Sequence, residues 1–162
     1  ARKLVKSGVR PTALYGSDVT SVPCSLLSNL RRTAAAVVAP RAQGRSLDVA
    51  LTLSDLEVAK APNAAPICRW AKEIWDATTV VHDPVTGTLQ RPAARAMPLQ
   101  QLLTCWNQAQ PTDVSSWRSV KGPLCAVAMS TRRIAWQWPQ PNIIINDCGV
   151  ALNLAQDSPQ LI

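Results

Sequence analysis

The chain has 162 residues, with 17 Lys+Arg against 10 Asp+Glu and a formal net charge of +7. Hydrophobic content of 47% and charged content of 17% exclude a disordered polyelectrolyte, and no apolar run approaches the ~18 residues needed to cross a bilayer. The length suits one domain or one and a half, and without an initiator Met the chain reads as a piece of something longer.

Residues 2–16 read as helical, with Pro11 kinking the helix or opening a new one and Gly16-Ser17-Asp18 marking a stop. Tyr15 is expected to be buried ahead of a helix-ending glycine, Gly16. A second helix restarts at Ser21-Val22-Pro23 and runs to Pro40. At helical spacing its Leu26, Leu27, Leu30, Ala34, Val37 and Val38 share an arc of roughly 120°. Arg32 points away from that arc and Arg31 flanks it. A shorter helix follows Gly44-Arg45-Ser46, with Leu47, Ala50, Leu51 and Leu53 inward.

Pro62 and Pro66 punctuate the entry to a helix whose stripe is Ile67, Trp70, Ala71, Ile74 and Trp75, the two Trp acting as core anchors. Its other side carries Arg69 with Glu73 and Lys72 with Asp76 at i,i+4, worth a few tenths of a kcal/mol each. His82 to Gly87 reads as a turn and residues 83–96 as a loop. A helix over about 98–109 presents Leu99, Leu102, Leu103 and Trp106. Another over about 123–134 presents Leu124, Val127, Ala128 and Ile134, with Arg132 and Arg133 suiting the dipole at its end. The period then changes: Asn142-Ile143-Ile144-Ile145 and residues 150–154 read as strands of a hairpin turning at Asn146-Asp147-Cys148-Gly149.

The charge is unevenly placed. Residues 1–45 hold eight bases (Arg2, Lys3, Lys6, Arg10, Arg31, Arg32, Arg41, Arg45) and one acid, Asp18, whereas residues 46–162 hold nine of each. The whole excess lies in the first quarter, which points to a polyanion partner there or to a solvated helical face. Five widely spaced cysteines with no Cys-x-x-Cys pair and a single histidine exclude tetrahedral zinc spacing and predict buried, reduced thiols in an intracellular protein.

Catalytic constellations are weak. A Ser-His-Asp or Cys-His hydrolase would rest on His82 alone, beside Asp83 in a loop. Glycine-rich phosphate loops and paired carboxylates for two-metal chemistry are absent from the sequence. Asp147 follows a strand of isoleucines, as a Mg²⁺-holding aspartate does in ribonuclease H folds, but only 13 residues follow Gly149 and no partner carboxylates are placed to complete the site. Asp147 is a turn residue.

One resemblance emerges from the basic quarter. Residues 3–18, which include Arg10-Pro11-Thr12-Ala13-Leu14-Tyr15-Gly16-Ser17-Asp18, are followed by a leucine-rich helix reading Leu30-Arg31-Arg32-Thr33. This stretch resembles the thumb of non-LTR retrotransposon reverse transcriptases. Gly44-Arg45-Ser46-Leu47, Trp70-Ala71-Lys72-Glu73-Ile74-Trp75-Asp76, the block 117–123 and the block 132–139 resemble the connector that follows the thumb. The family's palm holds its catalytic Mg²⁺ on a Tyr-x-Asp-Asp strand. Here the one tyrosine is Tyr15 and no two Asp are adjacent, so this segment lacks an active site and has no cofactor of its own.

The resemblance implies a mainly α fold: a basic thumb-like helical region (1–45), then a neutral helical connector (46–162) with a small C-terminal β-hairpin at about 142–154. It implies an intracellular, nuclear protein whose partners are RNA–DNA or RNA template–primer duplex and the palm of the parent RNA-directed DNA polymerase, with no membrane. The expected phosphate contacts are Arg2, Lys3, Lys6, Arg10, Arg31, Arg32, Arg41 and Arg45. The rival expectation is a helical protein-interaction module whose basic N-terminal face meets an acidic protein.

Overall fold

A computed structural model describes residues 7–8, 10–38, 44, 46–54, 58–79, 81–82, 89–90 and 97–161. The chain is mainly helical, with a small three-stranded antiparallel sheet at its C-terminal end. In chain order the helices are α1 (Arg10–Ala13), α2 (Ser17–Thr20), α3 (Cys24–Val38), α4 (Leu47–Leu53), α5 (Lys60–Thr78), α6 (Leu99–Ala109) and α7 (Pro123–Arg133). Strands β1 (Val81–His82) and β2 (Leu89–Gln90) pair with each other, and β3 (Gln137–Gln140), β4 (Ile143–Ile145) and β5 (Ala151–Asn153) form the sheet.

The core follows the apolar periodicity of α5. Ile67, Trp70, Ala71, Ile74 and Ala77 are buried together with Leu102 of α6, Val127 and Ala128 of α7, Trp138, Ile144 and Leu154. Three indoles lie at its centre: Trp138 stands edge-on to Trp70 at 5.6 Å between centroids and to Trp106 at 6.1 Å. Such T-shaped pairs are worth about 1 kcal/mol beyond area burial. The Trp70 indole N–H donates to the Pro141 carbonyl at 2.7 Å, so its polar atom enters the core satisfied.

Helix α5 begins earlier than the sequence suggests and contains both of the prolines expected only at its entry. Pro62 is third in the helix, where an N–H has no intrahelical acceptor. Pro66 is interior and cannot donate to the residue 62 carbonyl. Both rings are almost fully buried, and that packing offsets the missing bond.

The predicted hairpin is present as β4–β5, with Ile144 opposite Leu152. Its turn closes through the Asn146 side chain, whose Oδ1 accepts from the Cys148 and Val150 amides at 3.0 and 2.8 Å. Gly149 supplies the positive φ of 80° that this turn requires. Asp147 is exposed in the turn. The sequence missed the third strand: β3 pairs with β4 through an irregular register and carries Pro139, which an edge strand tolerates because one side of its ladder is unpaired. It also missed the β1–β2 ribbon, which pairs His82 with Leu89 across the expected turn and places β2 within the expected loop.

Two smaller clusters complete the packing. Ala34 of α3, Leu51 of α4 and Val58 bury one another, with Leu30, Val37, Val38 and Leu47 half-buried around them. This cluster joins residues on both sides of the 45/46 boundary. Val114, Cys125 and Met129 form the other, against Trp117 and Val120. Three apolar positions expected inward are exposed instead: Leu26 (45%), Leu53 (83%) and Tyr15 (93%). The five cysteines are not paired with one another, and against the expectation of buried thiols only Cys125 is buried, whereas Cys24 and Cys148 are exposed.

Candidate nucleic-acid interface

Of the eight bases expected to contact phosphate, Arg2, Lys3, Lys6, Arg41 and Arg45 lie outside the described residues. Arg10 opens α1, and its side chain is likewise outside the description. Arg31 and Arg32 are therefore the two candidates whose side chains the structure describes. Their placement follows from the buried stripe of α3. Leu27 and Ala34 are seven residues apart and both are buried. Arg32 follows Leu27 by five residues and precedes Ala34 by two, so it falls on the opposite face and is exposed.

Arg31 lies at the edge of the stripe and is occupied. Its Nη2 donates to Asp48 Oδ1 of α4, an ion pair in which the Arg31 side chain is 25% exposed and Asp48 75%. The sequence could not display this pair, because it depends on α4 folding back over α3. Once Leu51 fills the pocket beside Ala34, the first turn of α4 brings its single acid to the arginine.

A polar junction orients α3 relative to the main core. Ser21, at a positive φ of 57°, places its hydroxyl 2.8 Å from that of Ser130 near the C-terminal end of α7, and both are buried. Arg133, at the end of α7, donates to the Val22 carbonyl and to Asn63 Oδ1 at 2.8 Å. Its guanidinium lies 4.1 Å from the centre of the Trp117 ring, whose N–H donates to Cys24 Sγ at 3.1 Å. Burial pulls the Arg133 pKa below the usual guanidinium range, with the Cys24 sulfur partly opposing the shift. Arg132 and Arg133 both lie in the last turn of α7, where the dipole favours cations, and Arg133 in addition ties the N-terminal helices to α5 and α7.

A second tie links α2 to α5. Arg69 donates to Glu73 at 2.8 Å, the expected i,i+4 pair, and also lies 3.5 Å from Asp18. Lys72 and Asp76 form the other expected pair at 2.5 Å. Asp18, the lone acid of the basic quarter, is thus partly neutralised. Tyr15 faces solvent from the turn between α1 and α2, where Gly16 adopts a left-handed φ of 73°. The expected stop at Gly16-Ser17-Asp18 is not found: α1 ends at Ala13, Gly16 is the N-cap of α2, and Ser17 and Asp18 are helical, while the tyrosine does not pack beneath the glycine.

No three His, Cys, Asp or Glu among the described residues are grouped to hold a metal ion. No helix of the described residues is long and apolar enough to cross a membrane. Burial pushes the half-buried Cys68 thiol up, away from the thiolate form that a nucleophile needs. Comparison with family models, with curated proteins and with solved structures finds no match.

Proposed function

We propose that the chain is a non-catalytic segment of an RNA-directed DNA polymerase, which binds template–primer duplex through backbone phosphates. The observation that carries this reading is the exposed Arg32 on α3, on the face opposite the buried stripe and within the quarter that holds the whole charge excess. A guanidinium so placed can fork two phosphate oxygens without being withdrawn from the fold. The resemblance of residues 3–33 to a reverse-transcriptase thumb supplies the partner class. The connector has nine bases and nine acids and is not assigned to the duplex.

The test is a mobility-shift titration of the chain with an RNA–DNA duplex at low salt. The wild type shifts the duplex, and Arg31→Ala with Arg32→Ala weakens binding at least fivefold, most of it from Arg32. Unchanged affinity in the double variant rejects the phosphate assignment. A second reading, a protein-interaction module, is favoured by one observation. Val49 and Leu53, four apart on α4, are 56% and 83% exposed and form an apolar edge.

A further inference from the structure

We infer that Trp136, between two clefts lined by Arg132 and Lys60, is a stacking site for the bases of a single-stranded nucleic acid, whose phosphates lie on the two cations. The site falls in the part of the chain that the duplex reading leaves unassigned, and it does not depend on that reading. One cleft, of about 250 Å³, is lined by Arg132, Thr112, Gln137 and Trp136 among others. The other, of about 320 Å³, is lined by Lys60 and the same indole. Both lie near or below the lower end of the ~300–1,000 Å³ range that encloses a drug-sized ligand, and suit a single planar ring. The indole reaches this place through a sharp reversal at the end of α7. The Trp136 amide donates to the Thr131 carbonyl at 2.9 Å and the Ala135 amide to the Arg132 carbonyl at 3.1 Å. This helix ending needs a left-handed residue, and Ala135 supplies it at φ 60°, where glycine is the usual choice. The reversal seats Trp136 half-buried against the main core and leaves Arg132 exposed at the same end of the helix.

The charge around the indole has one sign. Residues 46–162 hold nine bases and nine acids, yet the linings of the two clefts contain two bases and no acid. Arg132 and Lys60 are both exposed, and neither is ion-paired among the described residues. Arg132 donates from one nitrogen to the Thr112 carbonyl, which holds its guanidinium at the cleft. Asp113, beside Thr112 in the chain, accepts from the Thr112 hydroxyl at 3.2 Å and lines neither cleft. Gln137, exposed on the edge strand β3, adds an amide that can both donate and accept at a base edge. An aromatic ring flanked by cations fits a ligand that alternates planar rings with negative charges, as a single strand does. A duplex keeps its bases in the stack, and a bare polyanion makes no use of the ring.

The experiment titrates the full chain with a short single-stranded oligoadenylate and reads its anisotropy and the tryptophan fluorescence. The strand should bind and quench the emission, and Trp136→Phe should remove most of the quench. Trp136→Leu, which keeps an apolar side chain against the core but no ring, should weaken binding about tenfold. Arg132→Ala and Lys60→Ala, both at exposed sites, should each make the log–log salt slope shallower by roughly 0.7. Far-ultraviolet circular dichroism checks that each variant keeps its helices. The site is overturned if oligoadenylate does not bind, or if Trp136→Leu binds it as tightly as wild type. It is also overturned if Arg132→Ala with Lys60→Ala leaves the salt slope unchanged, a result that stands whether or not the Trp136 variants fold. Oligoadenylate binding that needs Trp136, without binding of an RNA–DNA duplex, supports this site and rejects the duplex reading. Duplex binding without oligoadenylate binding rejects only this site.

Discussion

At the scale of single residues, Arg133 does most to place the basic face. Its guanidinium satisfies the Val22 carbonyl and Asn63 while stacking on Trp117, so truncation removes three interactions and strands two acceptors. Hydrogen bonds from a charged donor contribute about 1.5–3 kcal/mol, and an unpaired acceptor carries a similar penalty. Arg133→Ala should therefore lower stability by about 2–3 kcal/mol, read as a reduced urea midpoint at unchanged m-value. Arg133→Lys should recover only part of this, because an ammonium lacks the planar fork that reaches both acceptors and lies over the ring. A loss below about 0.5 kcal/mol would show that the junction is merely a surface contact. The neighbouring Ser21 holds a left-handed backbone that a serine rarely adopts, and its buried bond to Ser130 is the compensation the structure offers.

At the scale of elements, burial rather than composition decides what each helix contributes. Ile74 is fully buried among the tryptophans of the core, so Ile74→Ala should cost about 3 kcal/mol in chemical denaturation. Leu53→Ala, at an 83% exposed site, should change stability by less than about 0.5 kcal/mol. Both are leucine-like positions in helical stripes, and only the fold separates them. The long amphipathic helices α3, α5, α6 and α7 were legible because three- and four-residue spacing repeats over several turns. So was the β4–β5 hairpin, because the Asn146–Gly149 turn lies between two apolar runs. Short α4 shows two turns at most, too few for Leu53 to declare its side. Strand β3 was hidden because its Pro139 argues against a strand until an edge position is known. The extension of α5 through Pro62 and Pro66 was hidden for a similar reason: a proline reads as a break, and only tertiary burial overrides it. For the interface, Arg32 was legible from its angle to the stripe. The Arg31–Asp48 pair and the Arg133 junction were not, since each joins helices far apart in sequence.

At the scale of the whole molecule, the charge asymmetry acquires a frame. The main core is built from α5, α6, α7 and the sheet, all within the neutral part of the chain. Helix α3 is tied to that core through Ser21, Val22 and Cys24, and its Arg32 edge remains open. The molecule thus reads as a neutral scaffold that presents a basic helix. Such a face should bind by releasing counterions from nucleic acid. The most direct measurement is the dependence of RNA–DNA duplex affinity on salt, from about 50 to 200 mM, for wild type and Arg32→Ala. The account predicts that log K falls linearly with log salt and that Arg32→Ala makes the slope shallower by about one. A salt-independent affinity, or an Arg32→Ala slope identical to wild type, would contradict it.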